Sequence, residues 1–388
     1  MQTSLKWTPD DYDLVLSSKY KRPIYMYILK VASRCNLDCT YCYVYQSPDK
    51  SWEWKPKFLT NDTIEKVASR IQEHVSEHNL ADVSIVFHGG EPLLAGINRL
   101  KEYTQILKSI IKCPISFGMQ TNAILLDLPL IQFFYESNFR LGISIDGTRE
   151  HNDRNRIYPN KKSSYDDTVN SIKLLQSFPD YKKIFGGVLI VIDVRHKPAD
   201  ILKTMDELGI GGANLLLPDS NYESQPYRPD GDRIAYGKWL FEFFALWLDK
   251  YSHIEVPYFE EIINLMLGGV SSSEEIGAKS VDFIVIDTNG DIEAVDTLKM
   301  VGREATSLNL NVHNNSLNEA LEHPAIYSRM SGYHSLCKQC RECEYLNNCG
   351  GGYIPHRYSL ENGFINPSIY CEDLKYLFAN MRSLIFKN

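Results

Sequence analysis

Between residues 24 and 218 the chain alternates short apolar runs with longer amphipathic ones. The short runs are IYMYILKV (24–31), VSIVFHG (83–89), PISFGMQ (114–120), FRLGISID (139–146), FGGVLIVID (185–193) and ANLLLP (213–218). Their β-branched and aromatic content reads as buried strands. Segments 61–78, 97–111, 127–137, 165–177 and 198–208 carry apolar residues at helical spacing. The first opens on TNDTIEKV, with Thr60 or Asn61 as N-cap ahead of acidic residues. RPDGDRIAYGKWLFEFFALWLDKY supplies a further helix after the sixth strand. Strand–helix alternation implies an α/β fold of parallel strands joined by right-handed crossovers. Such a fold is a small open sheet or a partial barrel, and its functional loops lie at the C-terminal ends of the strands.

The pattern changes after about residue 254. PYFEEIINLMLGG reads as a helix, and VDFIVIDTNGDIEAVD as two apolar segments around Asn289–Gly290, a strong hairpin signal. Loop-rich sequence follows and closes on a helix near 372–386. The predicted organisation is an N-terminal segment (1–22), a barrel domain (23–235), a helical bridge (236–280) and a smaller C-terminal domain (281–388). GTREHNDRNRIYPNKKSS and PDSNYESQPYRPDG read as long irregular loops, and both follow strands where they are placed to cover a site.

Composition narrows the function. Hydrophobic content of 44% and charged content of 23% are those of an ordinary globular protein. A net charge of −8 speaks against a general nucleic-acid surface, which would be basic. No apolar run approaches the roughly 20 residues of a membrane span. The greasiest, WLFEFFALWL, contains Glu242. The N-terminus lacks the basic-then-apolar pattern of a secretory signal, so the expectation is a cytoplasmic protein with no membrane and no nucleic-acid partner. Of nine cysteines, eight fall in two groups, and Cys113 stands alone as a core residue. In a reducing compartment such groups bind metal more often than they form disulfides.

SRCNLDCTYCYVY (33–45) spaces Cys35, Cys39 and Cys42 as C-x3-C-x2-C directly after the first strand. Closed zinc and iron–sulfur sites take four protein ligands. Three thiolates hold three irons of a 4Fe–4S cluster and leave the fourth iron open to an exchangeable ligand. A structural zinc knuckle completed by a distant histidine is the alternative. Downstream, HGGEPLL sets Gly89, Gly90 and Glu91 at the end of the second strand. Its two glycines let backbone approach a ligand closely.

C-x3-C-x2-C with Tyr41 before the last cysteine, followed by GGEP, resembles the radical S-adenosylmethionine (SAM) superfamily. The resemblance implies a partial (β/α)6 barrel and a 4Fe–4S cluster on Cys35, Cys39 and Cys42. The missing ligand is then S-adenosyl-L-methionine itself, through its amino and carboxylate groups. By the same resemblance the backbone at Gly89, Gly90 and Glu91 holds the SAM amino group, and Ser144, in GISIDG, contacts the ribose. Tyr41 and Asn122, the latter in QTNAILL, join this cofactor site. In the second group, the C-x2-C-x5-C run of Cys340, Cys343 and Cys349 with distant Cys371 resembles a SPASM domain, which carries auxiliary iron–sulfur clusters behind a radical SAM barrel. A full SPASM domain has further cysteines. Here the hairpin has none, and Tyr353 stands where a later one would be. The implication is a small C-terminal SPASM-like domain with one auxiliary 4Fe–4S cluster. Cys337 is left over, to replace one of the four ligands or to stay a free thiol. A four-cysteine zinc site is the alternative for this group.

RPIYMYILKVASRCNLDCTYCYVY, SWEWKPKFLT, FHGGEPLLAG, IDTNGDIEAVDTLK and CGGGYIPHRYS with GFINPSIYC together resemble the FxsB-type maturases, which include cyclophane-forming enzymes. That resemblance implies a ribosomally made precursor peptide as substrate and an external electron donor such as flavodoxin or ferredoxin. The implied reaction is a C–C crosslink between an aromatic ring and a side-chain Cβ, completed by loss of one electron and one proton. Asp296, in IEAVDTLK, stands where related sulfatase-maturating enzymes carry a catalytic aspartate and is the candidate base. A turn or cap role is its alternative. Other peptide modifications also fit: Cα epimerisation with Cys337 as hydrogen donor, ether or thioether formation, and side-chain dehydrogenation as in sulfatase maturation. A non-catalytic metal-binding peptide scaffold is the alternative of a different class. His356, Arg357 and Tyr358 read as structural or peptide-binding, and His88 as a packed strand residue.

Overall fold

A computed structural model describes residues 5–12 and 21–386; residues 1–4 and 13–20 of the predicted N-terminal segment lie outside them. Six parallel strands follow the six predicted runs: β1 (Met26–Ala32), β2 (Val83–Gly89), β3 (Ile115–Thr121), β4 (Phe139–Ser144), β5 (Phe185–Val191) and β6 (Ala213–Leu216). The longer helices are α1 (Asn61–His78), α2 (Gly96–Ile110), α3 (Leu128–Glu136), α4 (Arg149–Asn155), α5 (Tyr165–Gln176), α6 (Pro198–Glu207), α7 (Ala235–Lys250), α8 (Pro257–Met266) and α9 (Cys371–Ile385). Thr60 is the N-cap of α1, its side chain accepting from the Thr63 amide. Helix α4 lies in a stretch read as irregular loop. Its sequence, REHNDRN, has no apolar stripe to betray it, and Thr148 caps it by accepting from the His151 amide.

Alternation along the strands separates two environments. On β2, Val83, Ile85 and Phe87 are buried while Ser84, Val86 and His88 are half-buried. The buried face carries an aromatic cluster in which Phe139 meets Phe117, Phe134 and Phe87 at ring-centroid distances of 4.9, 5.3 and 5.4 Å. The half-buried face looks into an internal cavity. His88, Gln120, Ser144, Leu189 and Leu216, one from each of β2 to β6, line it. His88 is thus a cavity residue rather than a packed one.

The hairpin forms where Asn289–Gly290 predicts it, between β7 (Phe283–Ile286) and β8 (Asp291–Glu293), with Gly290 at φ +84°. It does not stand apart from the barrel. Strand β7 pairs in parallel with β1, and β9 (Ser307–Asn311) follows β8, giving one sheet of order β6-β5-β4-β3-β2-β1-β7-β8-β9. The predicted division at residue 281 therefore falls just ahead of a strand shared with the barrel sheet. Strand β9 escaped the pattern because SLNLN is short and half polar. At the far end, α9 packs on α7: Asp373 takes two hydrogen bonds from Arg228 (3.2 and 2.5 Å) and one from the Gly237 amide (2.9 Å). No described helix is long and apolar enough to cross a membrane.

Buried charge ties the hairpin to the barrel. Glu293 on β8 sits 2.6 Å from Lys55, 3.4 Å from Lys30 of β1 and 3.5 Å from Lys299. Lys55 also pairs with Asp287 at 2.8 Å, and Lys299 with Asp49 at 3.0 Å. Burial works against the Glu293 carboxylate, but Lys30, Lys299 and Lys55 outweigh it and hold the group well below its ordinary value. A depressed carboxylate contributes stability above its unfolded-state value, near 4.5, and loses it as pH falls. Glu293→Gln is expected to lower the unfolding free energy by about 3 kcal/mol near neutral pH. In chemical denaturation the gap from the parent should narrow below about pH 4.

Candidate active site: the cysteine loop and the cavity above the strands

The cysteine loop leaves the C-terminal end of β1, and Cys35, Cys39 and Cys42 all line a cavity of about 290 Å³. Burial pushes the Cys35 thiol up to about 12 and that of Cys42 to about 11, and raises Cys39 as well. Iron binding would displace these protons. Among the described residues, His151, Asp193 and His196 form a group whose ligand atoms all lie within 4.8 Å of one another. There Arg195 already holds Asp193 through two hydrogen bonds of 2.7 and 2.6 Å. The three sulfurs of the cysteine loop are spread wider than that. Sulfurs on one tetrahedral zinc lie about 3.8 Å apart, so the loop fits an iron–sulfur cluster better than a zinc knuckle.

The GGEP turn is built against this loop. The Gly90 amide donates to the Ala32 carbonyl (2.8 Å) and the Glu91 amide to the Arg34 carbonyl (2.9 Å). A Cβ on Gly89, which has φ +146°, would lie 2.0 Å from the Ala32 oxygen. One on Gly90 would lie 2.0 Å from the Tyr45 hydroxyl and 2.4 Å from the Arg34 oxygen. The glycines are thus required by close approach of the chain to itself, not only by room for a ligand. The Glu91 side chain points away from this exchange and ties β2 to β3, accepting from Thr121 Oγ1 (2.6 Å), the Asn122 amide (2.8 Å) and the Leu93 amide (2.9 Å). Asn122 in turn donates to Asn36 Oδ1 (2.8 Å), beside Cys35.

Tyr41 is fixed by two residues that sequence reading missed. Its hydroxyl donates to Asp146 Oδ2 (2.8 Å) and accepts from Arg156 (3.0 Å), both buried. Burial, only partly offset by Arg156, pushes Asp146 up to about 6. Asp146 stands in the GISIDG string two residues after Ser144, so a signal was present. Arg156 lies in the polar loop and gave none. Ser144 accepts from Gln120 (2.7 Å) and lines the cavity.

Asp296 reaches the same place from the hairpin side. Its Oδ2 accepts from the Tyr43 hydroxyl (3.0 Å) and lies 3.7 Å from Lys30 Nζ and 3.9 Å from His88 Nδ1. Tyr43, His88 and Thr297 line the cavity at this point, with the Asp296 carboxylate held behind them. Sequence distance hid the partnership: Tyr43 and Asp296 are brought together by the pairing of β7 with β1.

Residues 29–208 match the family model of the radical SAM superfamily. The fold is that of a radical SAM partial barrel with a C-terminal auxiliary region. The chain is 27% identical to the cysteine-type anaerobic sulfatase-maturating enzyme of Clostridium novyi (strain NT), over 91% of this chain and 94% of that one. In fold it is similar to native anSMEcpe with bound AdoMet and Cp18Cys peptide, with a TM-score of 0.77 and 23% identity over 92% of this chain and 97% of that one. It also matches the fold of Streptococcus suis SuiB bound to precursor peptide SuiA, with a TM-score of 0.59 and 15% identity over 92% and 78% of the two chains.

The second cysteine group lies at the foot of α9. Cys340, Cys343, Cys349 and Cys371 line one small apolar pocket with Leu374 and Phe378. Cys337 is not in that lining; it is hydrogen-bonded to Cys340 at its edge. Arg357 donates to the carbonyls of Gly351 (3.0 Å), Gly350 (3.3 Å) and Gly352, holding the CGGG loop beside the thiols. His356 faces the main cavity instead, and Tyr358 packs on Phe364 at 5.4 Å between ring centroids. Tyr353 hydrogen-bonds Thr297 at 2.6 Å and lines the cavity. Gly90→Ala is expected to displace the cysteine loop. After anaerobic reconstitution it should hold about four irons fewer per chain than the parent, with the second group still loaded; iron assay and visible absorbance check this.

Proposed function

We propose that this radical SAM enzyme oxidises a side chain of a peptide substrate, removing two hydrogens from the Cβ–heteroatom unit of a cysteine or serine. Cys35, Cys39 and Cys42 would hold the 4Fe–4S cluster, and the GGEP turn, Ser144 and Asn122 would seat SAM. When bound, this pair supplies removal of one hydrogen atom from a substrate carbon. The chain's own residues manage the proton that must leave next. The Tyr43 hydroxyl faces the cavity and donates to Asp296 Oδ2 at 3.0 Å. As the substrate heteroatom gives its proton to the Tyr43 oxygen, Tyr43 passes its own to Asp296. Cys340, Cys343, Cys349 and Cys371 would hold one auxiliary cluster, which supplies one-electron transfer.

The observation that carries this reading is the Tyr43–Asp296 pair at the cavity wall of a chain similar over nearly its whole length to enzymes named as sulfatase-maturating. The aromatic–Cβ crosslink implied by the FxsB-type resemblance shares the first step and the same proton route. It ranks second because the similarity at full length is to the sulfatase-maturating enzymes. The test is anaerobic incubation with SAM, a strong reductant and short cysteine and serine peptides, read by exact mass and by 5′-deoxyadenosine. Loss of two hydrogens is expected, followed for cysteine by exchange of sulfur for oxygen in water. Asp296→Asn should form product at least about 100-fold more slowly while still releasing 5′-deoxyadenosine. Product formed by Asp296→Asn at the parental rate would rule out this proton route.

A further inference from the structure

Away from the cavity stands a group of metal-ligating side chains that the proposed chemistry does not use. His151 lies on α4, and Asp193 and His196 lie in the turn between β5 and α6. One ligand atom from each lies within 4.8 Å of the others. His151 is 0% exposed, and among the described residues neither of its ring nitrogens has a hydrogen-bond partner. Native folds seldom leave a buried polar atom unpaired without a reason. The His151 ring packs on that of His196, with centroids 4.3 Å apart. Burial, then His196, pushes His151 down to about 3, and burial lowers His196 as well. Both rings are therefore neutral near pH 7 and carry a lone pair each.

The gap between these groups already draws a cation. Arg154, in the last turn of α4, sets its Nε 3.2 Å from His196 Nε2 and 3.7 Å from Asp193 Oδ2. The two acceptors are themselves 3.9 Å apart. Because Arg154 donates to it, His196 Nε2 is the nitrogen with the lone pair. The Arg154 side chain is 38% exposed, so it can turn out to solvent. Asp193 keeps its charge. Burial opposes ionisation, but hydrogen bonds from Arg195 outweigh it and hold the carboxyl below its ordinary value. The Arg195 amide (3.0 Å) and Nε (2.7 Å) both use Oδ1, whereas Oδ2 accepts only from Arg195 Nη2 (2.6 Å) and retains a lone pair.

Two neutral imidazoles and one carboxylate suit a divalent ion of the zinc type, held by three protein ligands with a fourth position open. Ligand atoms on one such ion lie about 3.5 Å apart, so the stacked rings must turn inward as Arg154 leaves. We infer that His151, Asp193 and His196 form a binding site for a divalent zinc-type metal ion, its place held by the Arg154 guanidinium in the metal-free protein. The ion braces α4 against the turn ahead of α6. The chain at the end of α4 in turn holds the first cysteine loop: the Thr40 amide donates to the Asn155 carbonyl (3.0 Å) and the Asp38 amide to that of Ile157 (2.8 Å).

The test uses the full chain, cluster-loaded so that the thiols are occupied, equilibrated anaerobically with zinc chloride and desalted. Zinc and iron are then counted by plasma mass spectrometry. The parent is expected to hold about one zinc per chain beyond its iron. Zinc-edge X-ray absorption should show nitrogen and oxygen neighbours at about 2.0–2.1 Å and no sulfur. His151→Ala and His196→Ala should each lose the zinc with iron unchanged, which also shows that they are folded. Arg154→Ala should bind zinc about tenfold more tightly, since it removes the competing cation. Zinc should raise the thermal midpoint of the parent by about 2 °C or more and leave that of His196→Ala unmoved. Where a histidine variant fails to hold iron, the Arg154→Ala affinity and the absorption edge decide. No zinc beyond the iron, zinc bound through sulfur, parental zinc in either histidine variant, or an Arg154→Ala affinity no tighter than the parent's would overturn the site.

Discussion

Buried charge between the first barrel strand and the hairpin is the constraint on which the site depends. Lys30, Lys55 and Lys299 converge on Glu293 with their side chains at most 4% exposed. Removing such groups from water is costly, and well-packed apolar residues often hold strands together as firmly. What the charges add is placement. Lys30 reaches both Glu293 and Asp296, so the ion pairs that lock β8 also fix where the Asp296 carboxylate lies relative to Tyr43 and the cysteine loop.

A second constraint acts on the cofactor side. The cysteine loop does not fold on its own. The ends of β1 and β2 exchange backbone hydrogen bonds through Gly90 and Glu91, at distances that leave no space for a Cβ. Glu91 then spreads its carboxylate over the end of β3, and Asn122 returns a hydrogen bond to Asn36 beside Cys35. Three strand ends are thereby linked to one loop, which fixes where the thiols stand. Pre-positioning of this kind lowers the ordering cost of binding.

Much of this was legible in the sequence because the signals were local. Each barrel strand is a continuous apolar run, and the strong period of α1 and its Thr60 cap gave its boundaries. The cysteine and GGEP motifs each occupy a few consecutive residues. What stayed hidden was long-range. Nothing local says that β7 joins β1, so the hairpin read as part of a separate domain. Asp146 with Arg156, and Tyr43 with Asp296, are partnerships across 10 and 253 residues of chain, and only the pairing of β7 with β1 brings the second pair together.

In the proposed reaction a hydrogen atom leaves a peptide side-chain Cβ in the cavity beside Tyr43. The most direct measurement is isotope transfer from a cysteine peptide carrying deuterium at Cβ, with the enzyme cluster-loaded, reduced and given unlabelled SAM. One deuterium is expected in each 5′-deoxyadenosine formed in step with modified peptide. Modified peptide accompanied by unlabelled 5′-deoxyadenosine would contradict it, because the hydrogen would then have come from another position.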